Sequence, residues 1–245
     1  MVHFNLTFFT LENENSMRMR KKPNLIPRME RCAAVQITDP EALRGRWLEA
    51  YPGYETLHLE IGCGKGRFTT ETAAQNPKMF LAAVEKVPDA MVVGMERVTE
   101  RGLENVRFLD FDAKDLLTIF APSEVQRIYI NFPDPWKKSR QKKRRLTYPA
   151  FLALYAQVLP MGGEIWFKSD NDPLFAWSVE QMRDMGWELR ELTRNLHEHG
   201  PVGVMTDYEA KFHAEGVTIN RVVAVKTEET KCDFSLGTSM DSEPV

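Results

Sequence analysis

Short apolar segments alternate with helix-like segments along most of the chain. Apolar runs bounded by turn residues predict five strands, at 57–61, 80–84, 106–109, 126–132 and 164–168. Segments typical of helices follow these strands, at 67–75, 89–102, 115–120, 148–158 and 173–185. Because strands alternate with helices at this spacing, the sequence predicts an α/β fold with a doubly wound, mainly parallel sheet.

The last third of the chain departs from this alternation. Residues 187–192 and 218–225 predict two further strands, and a short helix near 207–214 lies between them. Paired as an antiparallel unit at the sheet edge, they complete a seven-stranded sheet that differs from the dinucleotide-binding Rossmann pattern. A separate helix is predicted at 40–50, because Asp39 can cap its free amides.

Composition indicates a single domain. The chain has 245 residues, of which 43% are hydrophobic, and this suffices for one core. It has no apolar run of about 18 residues and no N-terminal signal pattern, so we expect no membrane association and a cytoplasmic location. Its three cysteines form no C-x-x-C pair, and His197 and His199 have no cysteine nearby, so neither a disulfide nor a metal site is predicted.

Charge is distributed unevenly over a chain whose formal net charge is -3. Residues 1–16 lack periodicity and are predicted to be a disordered extension, followed by a basic arm, MRMRKKP, that starts at Met17. Residues 227–245 contain five acidic side chains and one lysine, and they are predicted to be a disordered acidic tail. By contrast, seven of the nine residues in 137–145, the basic segment, are cationic. The folded domain is expected to span 17–226.

Three glycines, Gly62, Gly64 and Gly66, follow the first predicted strand at its turn into a helix. Ligands of open α/β sheets bind outside the carboxyl ends of the strands, and glycine lets the backbone approach a ligand closely. The nicotinamide fingerprint G-x-G-x-x-G requires a glycine where this chain has Arg67. The glycine turn therefore predicts a ligand other than a nicotinamide dinucleotide.

Acidic residues stand at three successive predicted strands. Glu60 lies within the first strand, Glu85 follows the second, and Asp112 follows the third. A buried carboxylate requires a partner, which a ligand cation can supply, and an acid after the second strand commonly binds ribose hydroxyls. A ligand with an ammonium, a ribose diol and an exocyclic amine, and without phosphate, matches this set. We therefore predict S-adenosylmethionine as the cofactor.

The fourth predicted strand ends at a rigid turn, NFPDPW, from Asn131 to Trp136. Two prolines flank Asp134 and restrict its backbone, so the carboxylate loses little freedom when it engages a substrate. In a sheet of this winding, the turn lies next to the first strand, across the ligand crevice. Because the basic segment follows directly, it favours binding of a phosphate backbone and predicts a nucleic acid substrate.

In combination, these motifs resemble the tRNA (guanine-N(7)-)-methyltransferase family. The resemblance covers nearly all of residues 17–226 and depends on Glu85 and on the following motifs: MRMRKKP, EIGCGKG, DFDA, NFPDPWKK with KKRRLTY behind it, KSDN and TDYEAKF. It implies a class I S-adenosylmethionine-dependent methyltransferase fold. It also implies transfer of the donor methyl group to N7 of the guanine at position 46, in the variable loop of tRNA.

The resemblance implies roles for individual residues. The catalytic position is Asp134. The positions implied to bind the cofactor are Glu60, Gly62, Gly64, Glu85, Asp112, Ala113 and Asp134. Those implied to bind the substrate are Lys138, Asp170, Thr206, Asp207, Tyr208 and Glu209. The cations of the basic segment that we expect to contact RNA are Arg140, Lys142, Lys143, Arg144 and Arg145.

Two other functions stay open. An amino-group methyltransferase acting on RNA or DNA is the closer alternative, because residues 131–136 faintly resemble the N-P-P-aromatic turn that holds an exocyclic amine, although Asp134 interrupts the motif. A non-enzymatic RNA-binding module is the second, but such a module has no reason to keep Glu60 and Glu85 around a cavity. The expected partner is tRNA. Sequences with the LTY continuation include homodimers, and we favour a homodimer on that ground.

Overall fold

The computed structural model describes residues 23–234, so the extension, the basic arm up to residue 22 and the end of the acidic tail lie outside the described residues. Within this range, seven strands form one sheet. Their bounds are Thr56–Ile61 (β1), Met79–Val84 (β2), Val106–Leu109 (β3), Arg127–Asn131 (β4), Glu164–Ser169 (β5), Glu188–Thr193 (β6) and Asn220–Val225 (β7).

The strand order is β3-β2-β1-β4-β5-β7-β6. Neighbours among β1 to β5 are parallel, whereas β7 runs antiparallel to both β5 and β6. The predicted doubly wound, mainly parallel, seven-stranded sheet with an antiparallel edge is confirmed. From β1 the sheet is extended to one side by β2 and β3, and to the other side by β4 and β5. The strand order therefore reverses between the adjacent strands β1 and β4, and ligands of such sheets bind at this switch point.

Eight α-helices cover the sheet in the described part of the chain. Their bounds are Leu25–Arg31 (α1), Trp47–Ala50 (α2), Arg67–Gln75 (α3), Pro88–Glu100 (α4), Leu116–Ile119 (α5), Pro149–Val158 (α6), Asp172–Asp184 (α7) and Asp207–Ala214 (α8). Four short 3-10 helices lie at Ala33–Val35, Glu41–Leu43, Ala113–Asp115 and Ser139–Arg144. None of these helices is long and apolar enough to cross a bilayer.

Alternate residues of the inner strands enter two apolar cores, one on each face of the sheet. Leu57 and Leu59 of β1 join residues of α5, α6 and α7 in the larger core. Leu81 and Ala83 of β2 pack with α3 and α4 in the smaller one. Because successive side chains of a strand point to opposite faces, a sheet covered on both faces has strands that are apolar throughout.

The single helix predicted at 40–50 is wrong. The chain forms a 3-10 turn and then α2, and Gly45 between them has a φ of +78°, which interrupts a helix. The carboxylate of Glu124 accepts hydrogen bonds from the backbone nitrogens of Gly45 and Trp47, at 2.9 and 3.1 Å. A residue distant in the sequence therefore accepts from amides inside the segment that was predicted to be one helix.

The predicted disordered tail begins too early, because residues 227–234 pack on the domain. The backbone nitrogen of Lys231 donates to the carbonyl of Met185 at 2.9 Å, and Thr230 Oγ1 donates to the carbonyl of Gly186 at 3.0 Å. The ring of Phe234 meets that of Tyr148 edge-on, with 5.6 Å between centroids. The acidic composition of 227–245 as a whole predicted disorder, and it gave no signal for the individual residues that make these contacts.

Candidate active site

A cavity of about 680 Å³ lies where β1, β4 and β5 end, and its volume is within the range of small-ligand sites. We call it the crevice. Eight of the predicted site residues line it: Glu60, Gly62, Gly64, Asp134, Asp170, Thr206, Asp207 and Tyr208. The fold thus brings the glycine turn, the proline-flanked turn and the start of α8 to one cavity.

The glycines of the turn between β1 and α3 have two different functions. Gly62 and Gly64 have φ values of +79° and +57°, and no atom lies within 4 Å of a Cβ built on either residue. They therefore leave bare backbone facing the crevice, which a ligand can approach closely. A Cβ on Gly66 would lie 2.6 Å from the Cα of Gly94 in α4, so packing requires glycine at that position.

Glu60 is a buried acid on the wall of the crevice, with 1% of its surface exposed. Its Oε2 accepts a hydrogen bond from Thr69 Oγ1 at 2.6 Å, and its Oε1 accepts one from Asn131 Nδ2 at 3.4 Å. Burial raises the pKa of the Glu60 carboxyl to about 7, although both hydrogen bonds act to lower it. Neither hydrogen-bond partner carries a charge, so a ligand ammonium is the partner that this carboxylate can still take.

Three predicted cofactor residues stand beside the crevice and do not line it. Glu85 follows β2, and its Oε2 accepts a hydrogen bond from the backbone nitrogen of Gly64 at 2.8 Å. Asp112 Oδ2 accepts a hydrogen bond from Lys86 Nζ at 2.6 Å. Partial burial acts to raise the pKa of Asp112, but the bond from Lys86 and nearby positive charge bring that pKa below its ordinary value. Ala113 is buried, and its role in cofactor binding, like those of Glu85 and Asp112, stays a prediction.

These residues fit S-adenosylmethionine. Glu60 offers a buried acceptor for an ammonium, Gly62 and Gly64 offer open backbone, and Glu85 stands after β2 at the position typical of a ribose-binding acid. Cys63 is buried within the same turn, and burial raises the pKa of its thiol, so it is not an activated nucleophile. Within residues 23–234, no three or more His, Cys, Asp or Glu side chains are grouped as metal ligands.

The turn that carries Asp134 has a strained backbone on both sides of its two prolines. Phe132 has a φ of +53° and Trp136 a φ of +42°, values that residues other than glycine rarely adopt. The backbone nitrogen of Phe132 donates to the carbonyl of Lys168 at 2.9 Å, which ties the start of the turn to β5. The Asp134 side chain is exposed and lines the crevice.

The first turn of α8 closes the substrate side of the crevice. Thr206 Oγ1 accepts a hydrogen bond from the backbone nitrogen of Glu209 at 2.9 Å, and the Glu209 side chain accepts one from the backbone nitrogen of Thr206, so the two residues form a capping box. The ring of Tyr208 meets that of Phe132 edge-on, with 5.5 Å between centroids. Asp207 accepts a hydrogen bond from Arg97 of α4 at 2.7 Å.

Glu209 does not line the crevice, in contrast to the predicted contact with substrate. Its side chain is fully buried, and its Oε2 accepts a hydrogen bond from Lys168 Nζ at 2.6 Å. Its Oε1 pairs with His197 Nε2 at 3.0 Å, while the backbone nitrogen of Val202 donates to His197 Nδ1 at 3.1 Å. The Nδ1 atom is therefore an acceptor, and the ring proton lies on Nε2. This arrangement, the Glu209 network, supports the start of α8 from behind.

The basic segment starts at the crevice, where Lys137 contributes to the lining, and continues into the 3-10 helix Ser139–Arg144. Six of its cations have exposed side chains: Lys137, Lys138, Arg140, Lys142, Lys143 and Arg144. Arg145 differs, because its guanidinium donates to the carbonyls of Pro135 and Trp136. These bonds use Nε and Nη2 of a half-buried side chain, and the contact of Arg145 with RNA stays a prediction.

Four cations on the crevice wall were not among the predicted site residues. They are Lys65, Arg67, Lys137 and Lys211. Lys211 lies four residues after Asp207, a spacing that places two side chains on one face of a helix, so the sequence contained a signal for it. The Glu209 network was also not predicted, since it joins residues that are far apart in the chain.

Solved structures with related folds include the 16S rRNA methyltransferase KamB, with a TM-score of 0.58 and 16% identity over 74% of this chain and 93% of that one. A variant of the 16S rRNA (adenine(1408)-N(1))-methyltransferase of Catenulisporales acidiphilia has a TM-score of 0.55 and 12% identity over 78% and 93% of the two chains. At this identity the likeness shows the fold alone. It defines the fold as that of the class I S-adenosylmethionine-dependent methyltransferases, with the glycine turn and the crevice at the ligand-binding edge of the sheet.

Residues 54–222 match the family model described as putative methyltransferase. The chain belongs to the tRNA (guanine-N(7)-)-methyltransferase family. The tRNA (guanine-N(7)-)-methyltransferase of Geobacillus kaustophilus (strain HTA426) is 43% identical over 211 residues, which cover 86% of this chain and 97% of that protein. The enzyme of the same name from Lachnoclostridium phytofermentans (strain ATCC 700394 / DSM 18823 / ISDg) is 44% identical over 195 residues, 79% of this chain and 91% of that protein.

Proposed function

We propose that this protein transfers the methyl group of S-adenosylmethionine to N7 of a guanine in tRNA, at position 46 of the variable loop. Family membership supports the reaction and the substrate class. The observation that carries the proposal is that Asp134 lines the same crevice as the glycine turn, with Lys137 of the basic segment at its edge. The position within tRNA follows from the motif resemblance.

The chemistry requires alignment more than acid or base catalysis. Guanine N7 carries an in-plane lone pair and no proton, so no general base is needed. S-adenosylmethionine, when bound, supplies a methyl group activated by its sulfonium. The protein has to hold the nitrogen in line with that methyl group, and such alignment contributes about 7 to 11 kcal/mol toward the barrier. The tie from Phe132 to β5 and the two prolines hold Asp134 in place before the substrate binds.

Asp134 contributes by accepting hydrogen bonds from the Watson–Crick edge of the guanine. The base gains positive charge as it is methylated, so its N–H groups become more acidic. A fixed carboxylate therefore binds the transition state more strongly than the ground state, which lowers the barrier. Phe132 and Tyr208 stand beside it on the crevice wall and offer aromatic surface to a purine ring.

The exposed cations of the basic segment supply affinity for the tRNA backbone. Lys142 and Lys143 lie on a 3-10 helix that begins two residues after Lys137, so phosphates can bind next to the crevice. Contacts of this kind position an RNA without reading its sequence. The target base has to leave its tertiary interaction to enter the crevice, and recognition should therefore depend on tRNA shape.

The amino-group methyltransferase is the second candidate, and the contact of Asn131 with Glu60 bears on it. In an N-P-P-aromatic turn the asparagine holds the substrate amine, whereas here Asn131 Nδ2 donates to a carboxylate on the cofactor side. A guanine N7 product and a methylated exocyclic amine are separated by nucleoside analysis. The homodimer and the cytoplasmic location stay predictions.

The test is tritiated methyl transfer to bulk tRNA, followed by digestion and identification of the nucleoside. We expect 7-methylguanosine, and no incorporation into a transcript in which guanine 46 is replaced by adenine. Asp134→Asn should reduce kcat/KM on tRNA by about 10²- to 10³-fold, because the neutral amide stabilises the developing charge less. Donor affinity, measured by calorimetry, should change much less than kcat/KM, because Asp134 is one of several residues implied to bind the cofactor. A methylated exocyclic amine, or full activity of Asp134→Asn, would contradict the proposal.

A further inference from the structure

The half-buried side chain of Arg145 lies under the turn that carries Asp134. Its Nε donates to the carbonyl of Pro135 at 3.0 Å, and its Nη2 donates to the carbonyl of Trp136 at 3.2 Å. A guanidinium is planar and presents several donors in a fixed fork, so one side chain can hold two successive carbonyls. Both carbonyls belong to the residues that directly follow Asp134.

Arg145 is itself held by two helices. Its Cζ lies 4.5 Å from the ring centroid of Trp177 in α7, a cation–π contact. Its backbone carbonyl accepts a hydrogen bond from the nitrogen of Tyr148, at the start of α6, at 2.9 Å. Thr147 Oγ1 and Ser178 Oγ lie 2.7 Å apart and join the same two helices. Burial lowers the pKa of Arg145, as expected for a guanidinium set into the protein.

The turn needs such support because its backbone is strained. The left-handed conformations of Phe132 and Trp136 are energetically unfavourable for residues other than glycine, and they persist only where the surroundings impose them. The hydrogen bond from Phe132 to the Lys168 carbonyl fixes the first half of the turn. Arg145 fixes the second half. Asp134 lies between these two attachment points.

We infer that Arg145 is a positioning residue, which sets Asp134 in the crevice by holding the carbonyls of Pro135 and Trp136. The inference rests on the proposed function, since it assigns a means of alignment to that reaction. It assigns Arg145 a role that differs from that of the other cations of the basic segment. An exposed lysine such as Lys142 acts through affinity for phosphate, whereas Arg145 acts through the geometry of the turn.

Arg145→Lys tests this difference in role, because lysine keeps the positive charge and the apolar stem of the side chain and lacks the planar guanidinium that can hold two carbonyls at once. We expect kcat on tRNA to fall roughly 10- to 100-fold, since a misplacement of about 1 Å can cost this much. The tRNA Kd and the slope of log K against log salt should stay at the wild-type values. Lys142→Gln is the matched control, and we expect it to weaken tRNA binding and to reduce that slope by about 1.

Hydrogen–deuterium exchange provides a measurement that does not depend on activity. Arg145→Lys should increase exchange in residues 131–138 and leave exchange in α4 unchanged. Arg145→Gln, with melting temperature as a check of folding, should show the same pattern. An Arg145→Lys protein with wild-type kcat, or one that behaves like Lys142→Gln, would overturn the inference. Absence of 7-methylguanosine from the wild-type reaction would instead overturn the proposed function, and the exchange result would still test the support of the turn.

Discussion

Two buried glutamates lie on opposite sides of the crevice, Glu60 in its wall and Glu209 behind it, and their partners differ. Glu60 supports the cofactor side and accepts hydrogen bonds from the uncharged groups of Thr69 and Asn131. Glu209 supports the substrate side and is paired with Lys168 and His197. Burial raises the pKa of Glu60 to about 7, although both hydrogen bonds and the more distant charge of Lys168 act to lower it. One carboxylate thus still requires a cation, while the other already has one.

The comparison shows that the two sides of the crevice are built by different interactions. The glycine turn is fixed by backbone bonds between neighbouring strands: the nitrogens of Gly62 and Cys63 both donate to the carbonyl of Val84, at 2.8 and 3.0 Å. The start of α8 instead depends on side chains, through Glu209. A ligand can therefore change the charge state of the cofactor side, whereas the substrate side is set before any ligand arrives.

The largest effect is expected from Lys168→Met, which removes the cation from the Glu209 network. Lys168 is almost fully buried, and its loss would leave the Glu209 carboxyl in the interior without its lysine partner. Breaking a buried pair in this way costs about 3 to 5 kcal/mol, and urea unfolding should show a loss of that size. Turnover on tRNA should fall. Donor affinity should fall less, because the backbone holds the glycine turn, although loss of the Lys168 charge removes one cause that lowers the pKa of Glu60.

Two further variants serve as controls for Lys168→Met. Lys78→Met removes an exposed partner of Glu55, and surface pairs of this kind contribute little to stability because solvent screens them. Lys168→Met combined with Glu209→Gln removes both charges and should recover part of the lost stability. If Lys168→Met is no more destabilising than Lys78→Met, the Glu209 network does not hold the substrate side.

A smaller effect, which depends on pH, is expected from Glu60→Gln. The folded-state pKa of Glu60 is raised from 4.5 to about 7, so the folded protein binds a proton that the unfolded chain has already released in this interval. Stability should therefore fall as pH rises from about 4.5 to 7, by up to roughly 3 kcal/mol. Glu60→Gln should flatten this slope in urea unfolding series, and exposed Glu49→Gln should preserve it.

Donor binding should show the opposite dependence on pH at Glu60. An ammonium next to the carboxylate favours the ionised form, so affinity for S-adenosylmethionine should increase between pH 6 and pH 8. Glu60→Gln should bind the donor more weakly and should lose this increase. Calorimetry at three pH values gives both results. A pH-independent donor affinity in the wild-type protein would mean that Glu60 does not receive the ammonium.

The contrast between Glu60 and Glu209 also explains which features the sequence could predict. Glu60 and the glycine turn lie within seven consecutive residues, and their strand–turn–helix context is visible in the local sequence pattern. The seven strands were predicted for the same reason. Lys168 and Glu209 are 41 residues apart, and their contact depends on how β5 and α8 pack. Tertiary packing of this kind cannot be deduced from residue types alone.

Arg145 and Gly45 show two further limits of local pattern. Arg145 belongs to a run of cations, and within such a run its side chain cannot be distinguished from those of its exposed neighbours. Only the positions of the Pro135 and Trp136 carbonyls identify its different role. The break in the helix predicted at 40–50 involves Glu124, which is 79 residues from Gly45.

The smallest effects are expected from two threonine substitutions that refine the comparison. Thr69→Val removes a hydroxyl that donates directly to the Glu60 carboxylate. Thr206→Val removes a hydroxyl that accepts a hydrogen bond from the backbone nitrogen of Glu209. This bond does not involve the carboxylate of Glu209. Thr69→Val should therefore raise the pKa of Glu60 and move the fall in stability to higher pH. Thr206→Val should cost about 1 kcal/mol, as loss of a helix cap does, at every pH.

Urea unfolding of both threonine variants between pH 5 and pH 8 measures this difference. Thr69→Val should be close to wild type at pH 5, where Glu60 is protonated, and less stable by about 1 to 2 kcal/mol at pH 8, because a hydrogen bond to an ionised group is lost. Thr206→Val should be offset from wild type by a constant amount over the same range. Parallel curves for the two variants would mean that Thr69 acts only by packing, and the two glutamates would then not differ in the way that their partners indicate.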